Sequence, residues 1–349
     1  MAPLNNTAHC RESDAFPECF IWPRISIVTP SYNQGEFLEQ TILSVIDQNY
    51  PNLEYIIIDG GSSDNSVEII KKYEKHLAYW VSEPDKGQSD AINKGLSKCT
   101  GEFFNWLNSD DLLFENSLLN IATTITKYDC DIICGYLQQF GDLVKPDHRM
   151  FVGKSAEETI ANFRMNQPAT FFRLSIIKQL GGLNPELHYI MDVELWFHYL
   201  INFGITRIKL ADYHIAKFRY HHASKTMAEP ELFLKERSAL IYSLAKVSGL
   251  PNFILNTLAA IKGDYLDSIN WSAYSKKGLR KLNSFYSRQY ALLHYSERDY
   301  DNARKGFVNY LKTGAIYCDW PTLKNIFKAI FIPKFLFFLY RKIRLNSAL

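Results

Sequence analysis

The sequence predicts an α/β fold in which a mostly parallel sheet carries helices on both faces. From Ile25 onward, short β-branched and aliphatic runs alternate with segments of helical periodicity, a pattern typical of parallel sheets. The run Tyr55-Ile-Ile-Ile-Asp59 is apolar until its last residue, as expected of a strand buried on both faces. After Glu229 the pattern becomes almost entirely helical, which predicts a helical C-terminal domain.

The elements follow one another at a regular pitch. Phe37, Ile42, Val45 and Ile46 recur at near-helical spacing and predict the first helix. By the same reasoning we predict strands over 25–29, 55–59, 77–82, 103–107 and 131–138, and helices over 36–48, 64–76, 89–97 and 117–126. The segment 290–311 resembles one tetratricopeptide-like helical hairpin, which cannot bury its own face and therefore serves packing. We predict an irregular extension over 1–22, an α/β domain over 23–227 and a helical domain over 228–349.

Composition and charge narrow the class of protein. The formal net charge of +2 gives no indication of a nucleic-acid partner. The six cysteines show no paired spacing, which favours a reducing, cytoplasmic setting, although Cys10 and Cys19 could pair in an oxidising one. No signal peptide and no run of 18 apolar residues occur, so we expect no membrane span.

Polar residues cluster where three of the predicted strands end. The clusters occupy residues 29–33, 59–64 and 108–111, each directly after a run of buried aliphatics. Taken alone, Ser63 or Asp64 would be interpreted as a helix cap. Ligands of α/β sheets bind at the carboxyl ends of the strands, so three such clusters at one edge predict a binding site.

The motifs in these clusters resemble family 2 glycosyltransferases of the GT-A fold, and especially the branch that assembles O-antigen and capsule. The resemblance covers about residues 24–226 and rests on the order of Thr29-Pro30-Ser31-Tyr32-Asn33, Asp59-Gly-Gly-Ser-Ser-Asp64, Glu83-Pro-Asp-Lys-Gly87, Asp90-Ala-Ile-Asn-Lys-Gly95 and Asn108-Ser-Asp-Asp111. It implies an inverting enzyme that moves a sugar from a nucleotide-sugar to a hydroxyl of a saccharide or lipid-linked glycan during surface polysaccharide synthesis.

The resemblance implies a nucleotide site. Asp59 would accept the N3–H of uracil, and Thr29, Pro30 and Tyr32 would form the wall against which the base lies. Asp90 belongs to the second nucleotide-contacting loop, or it caps the helix that follows. A UDP-sugar is the favoured donor, with guanine and thymine as open alternatives.

The resemblance also implies a divalent metal. Asn108-Ser109-Asp110 stands in the place of the family's D-x-D motif, so Asp110 would bind Mg²⁺ or Mn²⁺ while Asn108 contacts the ribose. His221, in an Arg-x-His-x-x-Ser segment, matches a metal or phosphate contact. Asp111 would either share the metal or cap the next helix.

The acceptor side of the resemblance centres on residues 191–196. Asp192 matches the family's catalytic base, which removes a proton from the acceptor hydroxyl as that oxygen attacks the anomeric carbon. Trp196 would stack on the acceptor sugar or, alternatively, lie in the core.

Two other functions and one open question remain at this stage. A sugar-phosphate nucleotidylyltransferase would need a Gly-rich, Arg-containing loop after the first strand, where this chain has Ser31-Tyr-Asn-Gln-Gly35. A non-catalytic, degenerate transferase is suggested by Asn108 and opposed by Asp110 and Asp192. The basic, apolar tail over 326–344 fits either a peripheral contact with the inner face of the cell membrane or a helix docked on the catalytic domain.

Overall fold

The computed structural model describes residues 21–164, 166–222, 224–265, 276–315 and 319–331. The described chain forms two units. The first contains the chain up to Phe151 together with Arg164–Trp196 and Thr206–Glu229, and the second contains Val152–Phe163, Phe197–Ile205 and the chain from Pro230 onward. Of the predicted extension over 1–22, residues 1–20 lie outside the described residues.

Eight strands form one mixed sheet in the first unit. They are β1 Ile25–Ser31, β2 Leu53–Asp59, β3 Tyr79–Ser82, β4 Phe103–Trp106, β5 Leu112–Leu113, β6 Ile132–Gly141, β7 Thr170–Arg173 and β8 Ile208–Tyr220, and their order is β3-β2-β1-β4-β7-β6-β8-β5. The pairs β1–β2, β1–β4, β2–β3 and β6–β8 are parallel, whereas β4–β7, β6–β7 and β5–β8 are antiparallel. The α/β prediction is confirmed. The strands β1 to β4 pair with one another in parallel, as predicted.

The described residues form thirteen helices, and the first four lie close to the positions predicted for them. They are α1 Gly35–Ile46, α2 Ser66–Tyr73, α3 Gln88–Lys98, α4 Ser117–Lys127, α5 Ala156–Ala161, α6 Leu174–Leu180, α7 Met191–Phe203, α8 Lys225–Ala228, α9 Pro230–Val247, α10 Asn252–Lys262, α11 Lys276–Ser296, α12 Tyr300–Lys312 and α13 Trp320–Phe331. Short 3₁₀ turns lie at Glu74–His76 and Gln167–Ala169.

Both faces of the central strands are buried. On one face, Ile27 and Ile57 belong to the same core cluster as Leu38 and Ile42 of α1. On the other face, α3 lies so close to β1 that a Cβ added to Gly95 would lie 2.5 Å from Cγ1 of Val28. Alternate residues of one strand therefore pack against different helices, which is why the strand sequences are continuously apolar.

The second unit is built from helices. α11 and α12 form the hairpin predicted over 290–311, and a Cβ added to Gly306 would lie 2.8 Å from Cβ of Ala291. Ile326 and Ala329 of α13 belong to the buried cluster that also contains Ala291. Within the described residues no helix is long and apolar enough to cross a membrane. Of the predicted tail over 326–344, residues 332–344 lie outside the described residues.

Candidate active site

The first two polar clusters are joined by hydrogen bonds at the carboxyl edge of β1 and β2. The backbone N–H of Asn33 donates to Oγ of Ser62 at 2.8 Å, and the side-chain Oδ1 of Asn33 accepts the backbone N–H of Ser63 at 2.8 Å. Asn33 adopts a left-handed backbone with φ of 51°, which Asn tolerates better than most residues. Asp64 accepts the Gly35 N–H at 2.9 Å and so holds the first residue of α1.

Asp59 is completely buried at the end of β2. Its Oδ2 accepts the N–H groups of Gly61 and Ser62 at 3.2 and 2.9 Å and the hydroxyl of Ser82 at 2.7 Å. Its Oδ1 accepts the Ser62 hydroxyl at 2.5 Å. The carboxylate thus organises the loop after β2, and the predicted contact with a base stays a prediction.

The three predicted wall residues differ in exposure. Thr29 is completely buried and its hydroxyl lies 3.1 Å from the Tyr55 hydroxyl, while Pro30 is buried within β1. Tyr32 is 61% exposed. A Cβ added to Gly60 would lie 3.3 Å from Cδ2 of Tyr32, so this ring lies against Gly60 and offers its surface to a ligand.

Asp85 lies at the same edge, and sequence reasoning predicted no role for it. It lies in the loop after β3, and a Cβ added to Gly60 would lie 2.6 Å from its Oδ2. Its Oδ1 accepts the Gly87 N–H at 2.8 Å. The Glu83–Gly87 motif was the available signal, because it follows a strand that ends at the same edge of the sheet.

Asp90 lies in the first turn of α3. Its Oδ2 accepts the Lys86 N–H at 3.1 Å, and Nζ of Lys94 lies 3.6 Å away. Asp90 is therefore not the cap of α3, whose N-cap is Gly87 without a side-chain cap bond, but its carboxylate ties the preceding loop to the first turn. The predicted nucleotide contact of Asp90 stays a prediction.

Asn108 is linked to a cation through Gln88. Oδ1 of Asn108 accepts Nε2 of Gln88 at 2.7 Å, and Nζ of Lys225 donates to Oε1 of the same Gln88 at 3.3 Å. Lys225 also donates to the His188 carbonyl at 3.2 Å. Gln88 and His188 were missed by sequence reasoning because neither belongs to a polar cluster at a strand end.

The two predicted metal ligands, Asp110 and His221, are in contact. Nε2 of His221 lies 2.9 Å from Oδ2 of Asp110, and the His221 ring packs at 4.6 Å from the Phe37 ring. The His221 side chain is 8% exposed and that of Asp110 is 21% exposed. Among the described residues no group of three or more His, Cys, Asp or Glu side chains could hold a metal.

Asp111 links the two chain segments that carry Asp110 and His221. It is completely buried, and its Oδ1 accepts the Arg219 backbone N–H at 3.0 Å. Burial, followed by the charge of Asp110, raises the pKa of Asp111 well above 3.8. The cap role expected for Asp111 does not hold, because β5 follows it and α4 begins only at Ser117.

Arg219 is fixed in one orientation by four neighbours. Its Nε donates to the Asp110 carbonyl at 2.9 Å, and its guanidinium donates to Oε1 of Gln40 at 2.7 Å. The guanidinium carbon lies 4.8 Å from the ring centroid of Phe37 and 4.5 Å from that of Phe140. Arg219 therefore positions the loop that carries Asp110.

Two serine hydroxyls at this edge are buried without a hydrogen-bond partner among the described residues. They are Oγ of Ser31, at the end of β1, and Oγ of Ser224, just before α8. An unsatisfied buried hydroxyl costs free energy, so both are candidates for contact with a ligand.

The predicted base and the predicted acceptor platform have different surroundings. Asp192 is partly exposed in the first turn of α7, and its Oδ1 accepts the Val193 N–H at 2.8 Å. Trp196 is completely buried, with its ring 5.5 Å from that of Phe172, which stacks on Trp106. The core alternative therefore describes Trp196, because its indole has no exposed face for a sugar.

Comparison with known sequences decides the family. The profile of Glycosyl transferase family 2 matches residues 26–178. An uncharacterized glycosyltransferase of Mycobacterium tuberculosis is 41% identical over 183 residues, which cover 49% of this chain and 67% of the relative. The chain belongs to glycosyltransferase family 2. The predicted family is therefore confirmed, and the nucleotidylyltransferase alternative loses its support.

A second sequence relative and one solved structure are also similar to this chain. An uncharacterized glycosyltransferase of Rickettsia typhi is 29% identical over 219 residues, covering 58% of this chain. The chain spans 66% of that relative, just under two thirds. The crystal structure of S. aureus TarS 1–349 in complex with UDP-GlcNAc has a TM-score of 0.56 and 19% identity, covering 83% of this chain and 92% of TarS 1–349. This likeness supports the GT-A fold.

Proposed function

We propose that this chain is an inverting glycosyltransferase that transfers a sugar from a UDP-sugar to a hydroxyl of a saccharide or lipid-linked glycan in surface polysaccharide synthesis. The contact of His221 with Asp110 at 2.9 Å is the observation that carries the proposal. This contact lies at the carboxyl ends of the strands, where open α/β sheets bind their ligands. TarS, whose fold is similar, was solved with UDP-GlcNAc, which supports UDP as the nucleotide.

The donor set suits Mg²⁺ or Mn²⁺. Asp110 offers a carboxylate oxygen and His221 an imidazole nitrogen at the same point. Such metals are commonly held by one or two protein ligands and complete their coordination with substrate phosphates and water. When bound, the metal would neutralise charge that develops on the diphosphate. Lys225, held by Gln88 and the His188 carbonyl, adds positive charge near Asn108.

Asp192 is the proposed catalytic base. Its carboxylate takes the proton of the acceptor hydroxyl while the acceptor oxygen forms a bond to the anomeric carbon. The bond between that carbon and the diphosphate oxygen breaks on the opposite face, and UDP carries away the bonding electron pair. The anomeric configuration is therefore inverted.

The first experiment is a thermal-shift panel with UDP, GDP and dTDP, each with and without Mn²⁺. We expect stabilisation by UDP that requires Mn²⁺ and is lost in Asp110→Ala. Asp47→Ala, which removes an exposed carboxylate after α1, is the matched control and should behave as the parent. Stronger stabilisation by GDP or dTDP would change the proposed donor. Absence of binding by all three nucleotides would contradict the transferase proposal.

We also propose that the second unit contacts the inner face of the cell membrane, where a lipid-linked acceptor would be found. Leu323 and Phe327 are 46% and 61% exposed on α13, and Lys324 is exposed beside them. Apolar and basic side chains together favour an anionic lipid surface. Flotation with vesicles that contain phosphatidylglycerol should carry the protein upward, and Phe327→Ser should weaken this. Equal flotation with neutral vesicles would remove the role of the basic side chains, and no flotation would favour the docked-helix alternative.

A further inference from the structure

In the proposed function, on which this inference rests, the chain binds a nucleotide-sugar. The nucleobase of that donor would be recognised at the carboxyl edge of β1 and β2. The predicted reader of the base, Asp59, is completely buried and already accepts four hydrogen bonds from its own loop and from Ser82. A carboxylate has about four lone-pair positions. A ligand would therefore compete with the donors that hold this loop in shape.

A second carboxylate, that of Asp85, lies beside the same loop. The loop after β3 is attached to the end of β2, because the Glu83 N–H donates to the Asp59 carbonyl at 3.0 Å. It also touches the next turn, since a Cβ added to Gly61 would lie 3.4 Å from the backbone nitrogen of Pro84. Asp85 is thus held over Gly60 by its own loop.

Gly60 and Tyr32 define the space into which Asp85 points. A Cβ at residue 60 would lie 2.6 Å from Oδ2 of Asp85 and 3.3 Å from Cδ2 of Tyr32. The carboxylate oxygen and the edge of the exposed ring therefore meet above a backbone without a side chain. An aromatic surface with an adjacent carboxylate is suited to a flat heterocycle that carries N–H donors.

The two oxygens of Asp85 have different surroundings. Oδ1 accepts the Gly87 N–H at 2.8 Å and so fixes the carboxylate plane. Among the described residues no donor reaches Oδ2, and the Asp85 residue is partly exposed. One oxygen therefore orients the group, and the other stays available to a ligand.

We propose that Asp85 is a specificity-determining residue that reads the nucleobase of the donor. Oδ2 accepts the N3–H of uracil or thymine, or the N1–H of guanine, while the base lies against Tyr32. Cytosine and adenine present an acceptor nitrogen at the corresponding position, so a carboxylate repels them. Asp59 then serves to hold the loop.

Asp85→Asn separates base recognition from a role in the loop. The amide oxygen of Asn can still accept the Gly87 N–H, so the loop keeps its bond. The amide nitrogen, in contrast, replaces Oδ2 and can donate to N3 of cytosine. A residue that served the loop alone would show no change in base preference.

The experiment is calorimetric titration of UDP and CDP, in the presence of Mn²⁺, into the parent protein, Asp85→Asn and Glu83→Gln. Glu83 pairs with Lys94 at 3.1 Å and is 52% exposed, so its substitution removes the same charge two residues away. We expect the parent to prefer UDP over CDP by about tenfold or more, as a hydrogen bond to a charged group allows. Asp85→Asn should reduce that ratio by about tenfold, and Glu83→Gln should leave it unchanged.

Gly60→Ala gives a second measurement through the same contact. Its added Cβ would force Oδ2 of Asp85 aside. The preference for UDP over CDP should therefore fall although Asp85 itself is unchanged. If UDP binds and the ratio of UDP to CDP is the same in the parent and in Asp85→Asn, the inference is wrong although the transferase proposal stands. If the parent binds no nucleotide, both are wrong. If the parent prefers GDP, the same variants are compared for their ratio of GDP to ADP affinity.

Discussion

His221 lies 2.9 Å from Asp110 although the two residues are 111 positions apart in the chain. Asp110 comes two residues before β5, and His221 directly follows β8. These strands pair antiparallel, with Leu112 opposite Lys217 and Leu113 opposite Ala216. Continuing that register toward the start of β5 runs toward the end of β8, so a two-residue strand brings the proposed metal ligands together.

The His221→Ala variant tests the metal pair from the imidazole side. We expect the Mn²⁺-dependent affinity for UDP to fall by at least about tenfold, the range seen when support of a metal site is removed. Titration calorimetry measures this. His222→Ala is the matched control because the His222 side chain is 95% exposed. Equal losses in the two variants would argue against a specific role for His221.

The Asp192→Ala variant separates an enzyme from a binding module. Loss of a general base should lower the rate by about 10²- to 10⁴-fold, while UDP affinity should match that of the parent. Release of UDP from UDP-GlcNAc, with water as the acceptor, gives the readout. Glu186→Ala removes an exposed acid near α7 and should leave the rate unchanged. A variant at residue 192 with the parent's rate would favour the non-catalytic alternative.

The Trp196→Ala variant tests the core position. Removing a fully buried indole beside Phe172 should lower the free energy of unfolding by about 3–5 kcal/mol. Trp196→Phe should cost less, since it retains most of the packing. Urea unfolding measures both, and UDP affinity in the folded variants should match that of the parent. Unchanged stability in Trp196→Ala would be incompatible with the packing described.

Gly95→Ala should destabilise the protein although alanine favours helices. Helix propensity alone would add about 1 kcal/mol, but the new Cβ would lie 2.5 Å from Cγ1 of Val28. Overpacking of this kind costs about 1–3 kcal/mol, so we expect a lower Tm. Ser97→Ala, on the exposed side of the same helix, should not lower it. A higher Tm in Gly95→Ala would mean that α3 can move away from β1.

The stability contributed by Glu54 should depend on pH. Burial alone would raise the pKa of Glu54, but hydrogen bonds from Ser26 and Thr100, with the charge of Arg24, hold it below 4.5. Because the folded pKa is the lower one, this stabilisation is complete above about pH 4.5 and is lost as the pH falls through the folded value. The side chain of Glu54 is only 4% exposed, so solvent screens these contacts little.

Glu54→Gln should therefore lower the free energy of unfolding by about 1–3 kcal/mol at pH 7. The gap between the variant and the parent should shrink below pH 4.5, as urea unfolding at several pH values would show. Glu68→Gln, at an exposed position of α2, should match the parent throughout. A gap that is constant with pH would mean that the contribution of Glu54 is not electrostatic.

The sequence by itself determined β1 to β4 and α1 to α4, the family, and the edge at which the polar clusters meet. Strand and helix periods are local, so β1 to β4 and α1 to α4 lie within a few residues of their predicted positions. The carboxyl ends of parallel strands share one edge, so polar clusters after β1, β2 and β4 had to converge. The contact of Asn33 with Ser62 and Ser63 is the result.

The tertiary structure decided which side chains remain available at that edge. Asp59 is surrounded by donors of its own loop, Trp196 is enclosed by Phe172, and Asp85 is placed over Gly60 by a loop from another strand. The directions of β5 and β7 were likewise fixed by partners distant in sequence. Periodicity records only which face of an element is buried, whereas hydrogen-bond partners and strand direction depend on residues that the chain brings together by folding.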